Sequence, residues 1–226
     1  MILITSLITL IYAAYDGTDY LKGEGSFNIE QNWIMNQTEE YMETQFVTQG
    51  NDKFLKLYKK AESELSFKDG FYHLFEESQP QHIRFWFASG NKEIEDTNLR
   101  LKDTGTDKTA ISFRCGYAGF VRVNDNQMIT FYNSSVSTDS KIIWTQADIL
   151  LNWDTQEVLV FMNESYMGST SFYHQEVTKV NEVMLYNLKP NTTSWWKNIK
   201  ICKERCDNFE FTQIVVICFT LFILLL

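Results

Sequence analysis

Residues 82–87 read HIRFWF, and their side chains follow a two-residue pattern. Ile83, Phe85 and Phe87 occupy every second position, and successive side chains of a β-strand point to opposite faces of a sheet. The spacing therefore predicts a strand that turns these three residues toward a core. The other three residues face the opposite side: His82, Arg84 and Trp86.

Two pairs of apolar runs flank short polar turns. Residues 120–124 and 128–132 are separated by three polar residues, and so are residues 149–153 and 157–162. Each pair predicts a β-hairpin, because two strand-like runs meet at a turn-forming segment.

Further strand-like runs recur at short intervals, and no stretch between residues 27 and 202 sustains a helical period. Many short strands bounded by turn residues predict an all-β fold, an antiparallel sandwich or barrel. Residues 61–70 fit neither pattern and are interpreted as a loop. The further strands are predicted at 52–59, 98–102, 110–115, 182–188 and 195–202.

The composition suits one folded domain. The chain has 226 residues, of which 44% are hydrophobic, and 20 Lys and Arg stand against 29 Asp and Glu, for a net charge of -9. The apolar content excludes wholesale disorder. The acidic balance argues against nucleic acid as a partner, since binding to a phosphate backbone needs clustered cations.

Both ends of the chain are apolar. Residues 1–14, MILITSLITLIYAA, predict a secretory signal peptide, with a buried first strand as the alternative. The closing run 214–226, IVVICFTLFILLL, is shorter than the ~20 residues of a membrane-spanning helix, which favours a glycolipid (GPI) anchor signal over a short transmembrane tail. We therefore expect a folded domain at 15–207, an anchor segment at 208–226 and a location at the cell surface.

Four N-glycosylation sequons fit this extracellular address, because each lies beside a turn signal or a polar segment. We expect the chain to be a glycoprotein modified at these positions. The acceptor asparagines are Asn36, Asn133, Asn163 and Asn191.

The four cysteines predict one disulfide. Cys218 lies in the apolar tail, which leaves three cysteines in the folded region. In an oxidising compartment we expect Cys202–Cys206, with Cys115–Cys202 as the alternative. The third thiol is then either buried or available for a bond between molecules. A zinc site is rejected, because Cys-x-x-x-Cys lacks a second ligand pair at finger spacing.

Several of these runs, taken in order, resemble the concanavalin A-like lectin/glucanase superfamily, and the laminin G-like and pentraxin-like modules look closest. The central part of the resemblance is Leu151-Asn152-Trp153-Asp154 followed by Val158, Val160 and Asn163. It extends over about residues 83–202. The runs that carry it are 83–90, 121–131, 149–163, 182–187 and 195–199.

The resemblance implies a jelly roll that takes ligands on its concave face or at its rim loops. Glucanase members carry Glu-x-Asp-x-x-Glu on one strand, and the acidic run at 93–97, EIEDT, breaks that spacing. Calcium-dependent members use Asp and Asn at sheet rims, and no EF-hand-like spacing supports such a site here. No catalytic residue and no cofactor is therefore predicted. The rim candidates for calcium are Asp103, Asp107, Asp125 and Asn126.

Trp195 and Trp196 are the candidate ligand platform, because an aromatic face binds the apolar face of a sugar ring. The alternative is that one ring enters the core while the other points outward, as alternation on a strand requires. We expect a membrane-tethered extracellular module that binds a carbohydrate or a protein, and not an enzyme. The other hypotheses are a glycoside-active enzyme on the same fold and a structural surface-coat protein.

Overall fold

A computed structural model of the chain describes residues 33–36, 41–49, 52–61, 70–90, 97–116, 120–124, 128–131 and 135–206. Those residues contain fourteen β-strands and no helix. The strands are β1 Trp33–Asn36, β2 Met42–Gln49, β3 Asp52–Lys59, β4 Gly70–Ser78, β5 His82–Ser89, β6 Thr97–Asp103, β7 Lys108–Gly116, β8 Phe120–Val123, β9 Met128–Phe131, β10 Thr145–Asn152, β11 Glu157–Met162, β12 Ser165–Ser171, β13 Val180–Asn187 and β14 Thr192–Cys202.

The strands form two antiparallel sheets of seven strands each. The first sheet has the order β1-β4-β13-β6-β7-β8-β9, and the second has the order β12-β11-β10-β5-β14-β3-β2. Strand β5 lies at the centre of the second sheet, where Ile83 pairs with Ile149 of β10 and with Ile201 of β14. The predicted all-β antiparallel sandwich is confirmed.

Aromatic rings join the two sheets. Phe85 and Phe87 of β5 are fully buried and contact Phe113 of β7, with ring centroids 5.1 Å and 5.4 Å apart. The ring of Trp196 lies 5.8 Å from the Phe85 ring on the adjacent strand. These edge-on and tilted contacts are the arrangement that aromatic pairs prefer. The inward half of the predicted alternation therefore forms the centre of the core.

The predicted strands largely correspond to observed ones. Phe120 pairs with Phe131 in the first hairpin, and Asn152 pairs with Glu157 in the second. The other predicted runs overlap β3, β6, β7, β13 and β14. Strands β1, β2, β4 and β12 were not predicted, and three of these (β1, β2 and β12) are edge strands.

The predicted disulfide is confirmed. Cys202, the last residue of β14, is bonded to Cys206, and their Cα atoms are 5.4 Å apart. The alternative bond from Cys115 to Cys202 is wrong. Cys115 is buried on β7, where its Sγ lies 3.5 Å from the carbonyl oxygen of Thr97.

Both apolar ends, residues 1–14 and 208–226, lie outside the described residues, as do Asn133, Asp125 and Asn126. Within the part of the chain that the structure describes, no helix has the length and hydrophobicity to cross a bilayer. The signal peptide and the anchor segment therefore remain predictions.

Matched leucine truncations test the position of the core. Leu101 on β6 has no exposed surface, whereas Leu74 on β4 is 43% exposed. We expect Leu101→Ala to lower the free energy of unfolding by about 2–5 kcal/mol, because it leaves a cavity, and Leu74→Ala to change it by about 0.5 kcal/mol or less. Urea denaturation of both variants measures the difference, and equal losses would contradict the assignment of the core.

Candidate functional site

A buried carboxylate lies on the outer face of the second sheet. Asp148 of β10 has no exposed side-chain surface. Its Oδ1 accepts hydrogen bonds from His82 Nε2 at 2.8 Å and from Arg84 Nε at 2.6 Å. Its Oδ2 accepts a hydrogen bond from Gln146 Nε2 at 2.7 Å. Three donors thus compensate for the loss of water around this charge, which burial otherwise makes costly.

The hydrogen bonds of His82 determine its tautomer. The backbone N–H of Cys206 donates to Nδ1 of His82 at 3.0 Å. Because an N–H can only donate, Nδ1 carries no proton, and Nε2 donates its proton to Asp148. The imidazole is therefore neutral, while the carboxylate of Asp148 is paired with the guanidinium of Arg84.

The pKa values of this pair agree with that assignment. Burial lowers the pKa of His82 below its ordinary value of 6.5, and the hydrogen bond to Asp148 opposes this shift only in part. Burial alone would raise the pKa of Asp148, but the bonds from His82 and Arg84 outweigh it and hold that pKa below 3.8. At neutral pH the site therefore contains a neutral imidazole and an ionised carboxylate.

Side chains of the three central strands continue this site across the sheet. We use the name tryptophan face for an outer surface of the second sheet. It consists of Trp144 and of two rows of side chains that are neighbours across β10, β5 and β14. The rows are Gln146, Trp86 and Lys197 in one and Asp148, Arg84 and Lys200 in the next.

Two half-buried tryptophans flank a lysine on this face. The Nζ atom of Lys197 lies 4.4 Å from the ring centroid of Trp144 and 5.9 Å from that of Trp86. Both distances allow a cation–π attraction, which holds the ammonium group beside the rings. The face thus combines aromatic surface with Arg84, whose side chain is 17% exposed, and with the amide of Gln146.

The two tryptophans selected from the sequence do not form an exposed platform. Trp196 is fully buried in the core, and Trp195 is only 2% exposed on the outer side of the sheet. The one-in, one-out arrangement expected from alternation is therefore present. Trp195 forms a buried cluster with Phe54 and Ala88, and Ile142 and Trp144 of the segment 135–144 pack against this cluster. Neither ring has an open face to offer a ligand.

Residues 135–144 approach the sheet closely at Gly90. A Cβ atom at this position would lie 2.9 Å from the Trp195 ring and 3.3 Å from the carbonyl oxygen of Ser137. The backbone N–H of Ser137 donates to the carbonyl oxygen of Ser89 at 3.0 Å. This contact holds the segment against the sheet, and the segment ends at Trp144, next to the first residue of β10.

The remaining predicted site residues lie elsewhere. Asp103 accepts hydrogen bonds from Gly105 N and Thr106 Oγ1 in its own turn, and Asp107 pairs with Lys102. No cluster of three metal-binding side chains occurs among the residues for which positions are described. The side chain of Asn36 is not described, whereas two of the predicted glycosylation sites are exposed at turns: Asn163 and Asn191.

The tryptophan face lacks the paired acids of a glycoside hydrolase. Asp148 is the one carboxylate residue on β5, β10 and β14, and both of its oxygens accept hydrogen bonds. Hydrolysis by retention or inversion uses two carboxyl groups about 5–9 Å apart. The described strands of this face therefore provide binding groups but no acid pair.

A small cavity continues the tryptophan face toward the end of β10. Its volume is about 190 Å³, and Leu150 and Leu159 line it together with Glu157 and Arg205. Leu150 pairs with His82, so the cavity lies one row beyond Asp148. The outer face thus offers aromatic, polar and apolar surface along one strand.

The sequence matches no protein family and no curated protein. Among solved structures, a Crh5 transglycosylase in complex with NAG is similar over 84% of this chain and 84% of its own, with 8% identity and a TM-score of 0.54. A native glycosidic hydrolase is similar over 84% of this chain and 97% of its own, with 10% identity and a TM-score of 0.53. A sialidase is similar over 75% of this chain but only 16% of its own, with 12% identity and a TM-score of 0.55.

At these identities the likeness is one of fold. The β-sandwich of this chain is also that of carbohydrate-active proteins, in agreement with the lectin/glucanase resemblance at the level of architecture. Membership of that superfamily remains a prediction.

Two Asp→Asn substitutions test the buried carboxylate. Asp148→Asn removes a charge that His82 and Arg84 share, so we expect the free energy of unfolding to fall by about 3–5 kcal/mol. Asp139→Asn removes an ion pair to Lys56 in which Asp139 is 69% exposed, so we expect a loss below about 1 kcal/mol. Denaturation at neutral pH compares the variants, and a small loss for Asp148→Asn would contradict the charged network.

Proposed function

We propose that this protein is a carbohydrate-binding module and that its ligand lies on the tryptophan face. The observation that carries the proposal is the pair of half-buried tryptophans, Trp86 and Trp144, beside Lys197, Arg84 and Gln146. Aromatic rings provide flat apolar surface, and the polar side chains provide directed hydrogen bonds. A sugar ring, with apolar faces and a hydroxyl rim, matches both kinds of group.

The fold supports the same class of ligand. The sandwich is similar to those of a transglycosylase in complex with NAG and of a glycosidic hydrolase. A shared fold does not by itself establish a shared function, so the proposal depends on the side chains of the tryptophan face.

Binding is favoured over catalysis. A glycoside-active enzyme remains the second hypothesis. It would need two carboxyl groups about 5–9 Å apart, whereas Asp148 is the one carboxylate on β5, β10 and β14 and Glu157 lies at the cavity beyond the end of β10. A surface coat linked through the third cysteine is also disfavoured. Cys115 is buried on β7, and a bond between molecules would require the first sheet to open.

We further propose that the module is secreted, glycosylated and tethered at the outer surface of a membrane by its C-terminus. The support is the apolar runs at both ends of the sequence and the exposure of two acceptor asparagines. Asn163 and Asn191 both adopt positive φ at tight turns, at 47° and 60°, where an oligosaccharyltransferase has access.

Substitution of Trp86 tests the ligand site. We expect the chain to bind one class of glycan on an array that is screened both in the presence and in the absence of calcium. Trp86→Ala should weaken that binding tenfold or more, because it removes the stacking surface, and a tenfold loss equals about 1.4 kcal/mol. Trp86→Phe, which keeps an aromatic ring, should retain most of the affinity. Titration calorimetry with the selected glycan measures both variants.

Tyr72→Ala provides the control, because Tyr72 is a half-buried aromatic residue on the other sheet. Its affinity should equal that of the unmodified chain. An array with no saturable binding, or equal losses for Trp86→Ala and Tyr72→Ala, would rule out the tryptophan face as a glycan site.

Glycosylation is tested without altering the asparagines. Oδ1 of Asn163 accepts a hydrogen bond from Gln146 N, and Oδ1 of Asn191 accepts one from Tyr58 OH, so both side chains have structural roles. Ser165→Ala and Thr193→Ala remove the sequons and leave these bonds intact. After expression in a secreting eukaryotic cell, each variant should lose the mass of one N-glycan. Unchanged masses would refute glycosylation at these positions.

A further inference from the structure

The loop after β14 is connected to the tryptophan face through a chain of hydrogen bonds. Residues 203–206 form this loop, and the disulfide Cys202–Cys206 closes it. The backbone N–H of Cys206, in this loop, donates a hydrogen bond to Nδ1 of His82, and Nε2 of His82 donates one to Asp148. Asp148 in turn holds Arg84 and Gln146.

We propose that His82 is a positioning residue for the tryptophan face, and that its protonation releases the disulfide-closed loop and weakens ligand binding. This inference rests on the proposed function, since it concerns the regulation of the same site. His82 has no exposed surface, so a ligand on the outer face cannot contact it. It acts only through Asp148, which orients the guanidinium and the amide at the face.

The geometry makes the imidazole sensitive to a second proton. Nδ1 must be unprotonated to accept from the Cys206 N–H. In the imidazolium form, two N–H groups would point at each other at this position, so the hydrogen bond from the loop would be lost. The disulfide keeps Cys206 attached to the end of β14, which makes the release local and reversible.

Burial is the main factor that opposes protonation of His82, and the charges around the ring act in both directions. From β10, the carboxylate of Asp148 favours the imidazolium, whereas Arg84 on β5 and Arg205 in the loop disfavour it. Lys200 on β14 pairs with Arg84 and adds a cation to the same face, and the loop also carries Lys203 and Glu204. Burial acts in the same direction as the arginines.

The direction of the pH effect follows from linkage. The pKa of His82 in the folded chain lies below its ordinary value of 6.5 because burial disfavours the charged ring. The stabilising contribution of the neutral ring is therefore fully present above that ordinary value. This contribution is lost as the pH falls below 6.5, because the state with the loop released binds the proton more readily than the closed state does.

Glycan affinity as a function of pH tests the proposal in the full chain. From about pH 7.5 to about pH 5 we expect the affinity to fall tenfold or more. In His82→Gln, whose amide can donate to Asp148 but does not titrate, the affinity should stay constant over that range. His174→Gln is the matched control, because His174 Nδ1 also accepts a backbone N–H, from Thr109 of the first sheet. That control should retain the original pH profile.

Hydrogen exchange measures the loop without any ligand and does not depend on the folding of a variant. The amide of Cys206 should be protected at neutral pH and lose its protection on acidification, after correction for the intrinsic exchange rate. Nitrogen-15 shifts of the His82 ring should show a protonated Nε2 and a bare Nδ1 at neutral pH.

Two results would overturn the proposal: equal protection of Cys206 at both pH values, or a His82→Gln profile that falls as steeply as the original. A chain that binds no glycan at any pH refutes the proposed function and, with it, the binding consequence. The exchange result still decides separately whether His82 controls the loop.

Discussion

The two-residue alternation of β5 determines both the core between the sheets and the side chains of the tryptophan face. The strand lies between β10 and β14 at the centre of the second sheet. One of its faces packs against the first sheet, and the other forms part of the outer surface. Phe85 and Phe87 join the sheets through Phe113, while Arg84 and Trp86 form the centre of the tryptophan face. Two of the groups proposed to bind a ligand, Arg84 and Trp86, therefore lie on a central strand with buried neighbours, and such a strand holds their spacing fixed.

The buried carboxylate of Asp148 fixes the arrangement of the side chains around it on this face. Asp148 is tolerated without water because donors from His82, Arg84 and Gln146 satisfy its oxygens. Such a network is stable only when every member has its partner. The C-terminal loop supplies the partner of His82, so the last described residues of the domain help to organise a surface at the middle of the sheet.

Much of the fold could be predicted from the sequence, because strand periodicity and turns are local. The stretch 82–87, both hairpins and the short-range Cys202–Cys206 pair all depend on residues close together in the chain. The site could not be predicted in the same way. Asp148 meets Arg84 across 64 residues, and only the register of β5 against β10 brings them together.

The positions of the tryptophans also depend on contacts between distant parts of the chain, which the sequence pattern does not reveal. Adjacent Trp195 and Trp196 form a conspicuous pair, but residues 135–144 bury the outward ring, and their path over Gly90 has no periodic signal. Trp144 lies next to Lys197 only because that segment ends beside β10. The strand predicted from the sequence begins at residue 149, so Trp144, Gln146 and Asp148 all lie before it and are not predicted as site residues.

The most direct test is a map of the bound glycan by NMR of the tryptophan indole N–H groups. We predict saturable chemical-shift changes at Trp86 and Trp144, because these two rings lie on the tryptophan face. The signals of Trp153 and Trp196 should not change. Shifts confined to residues of the first sheet would place the ligand elsewhere and contradict the account.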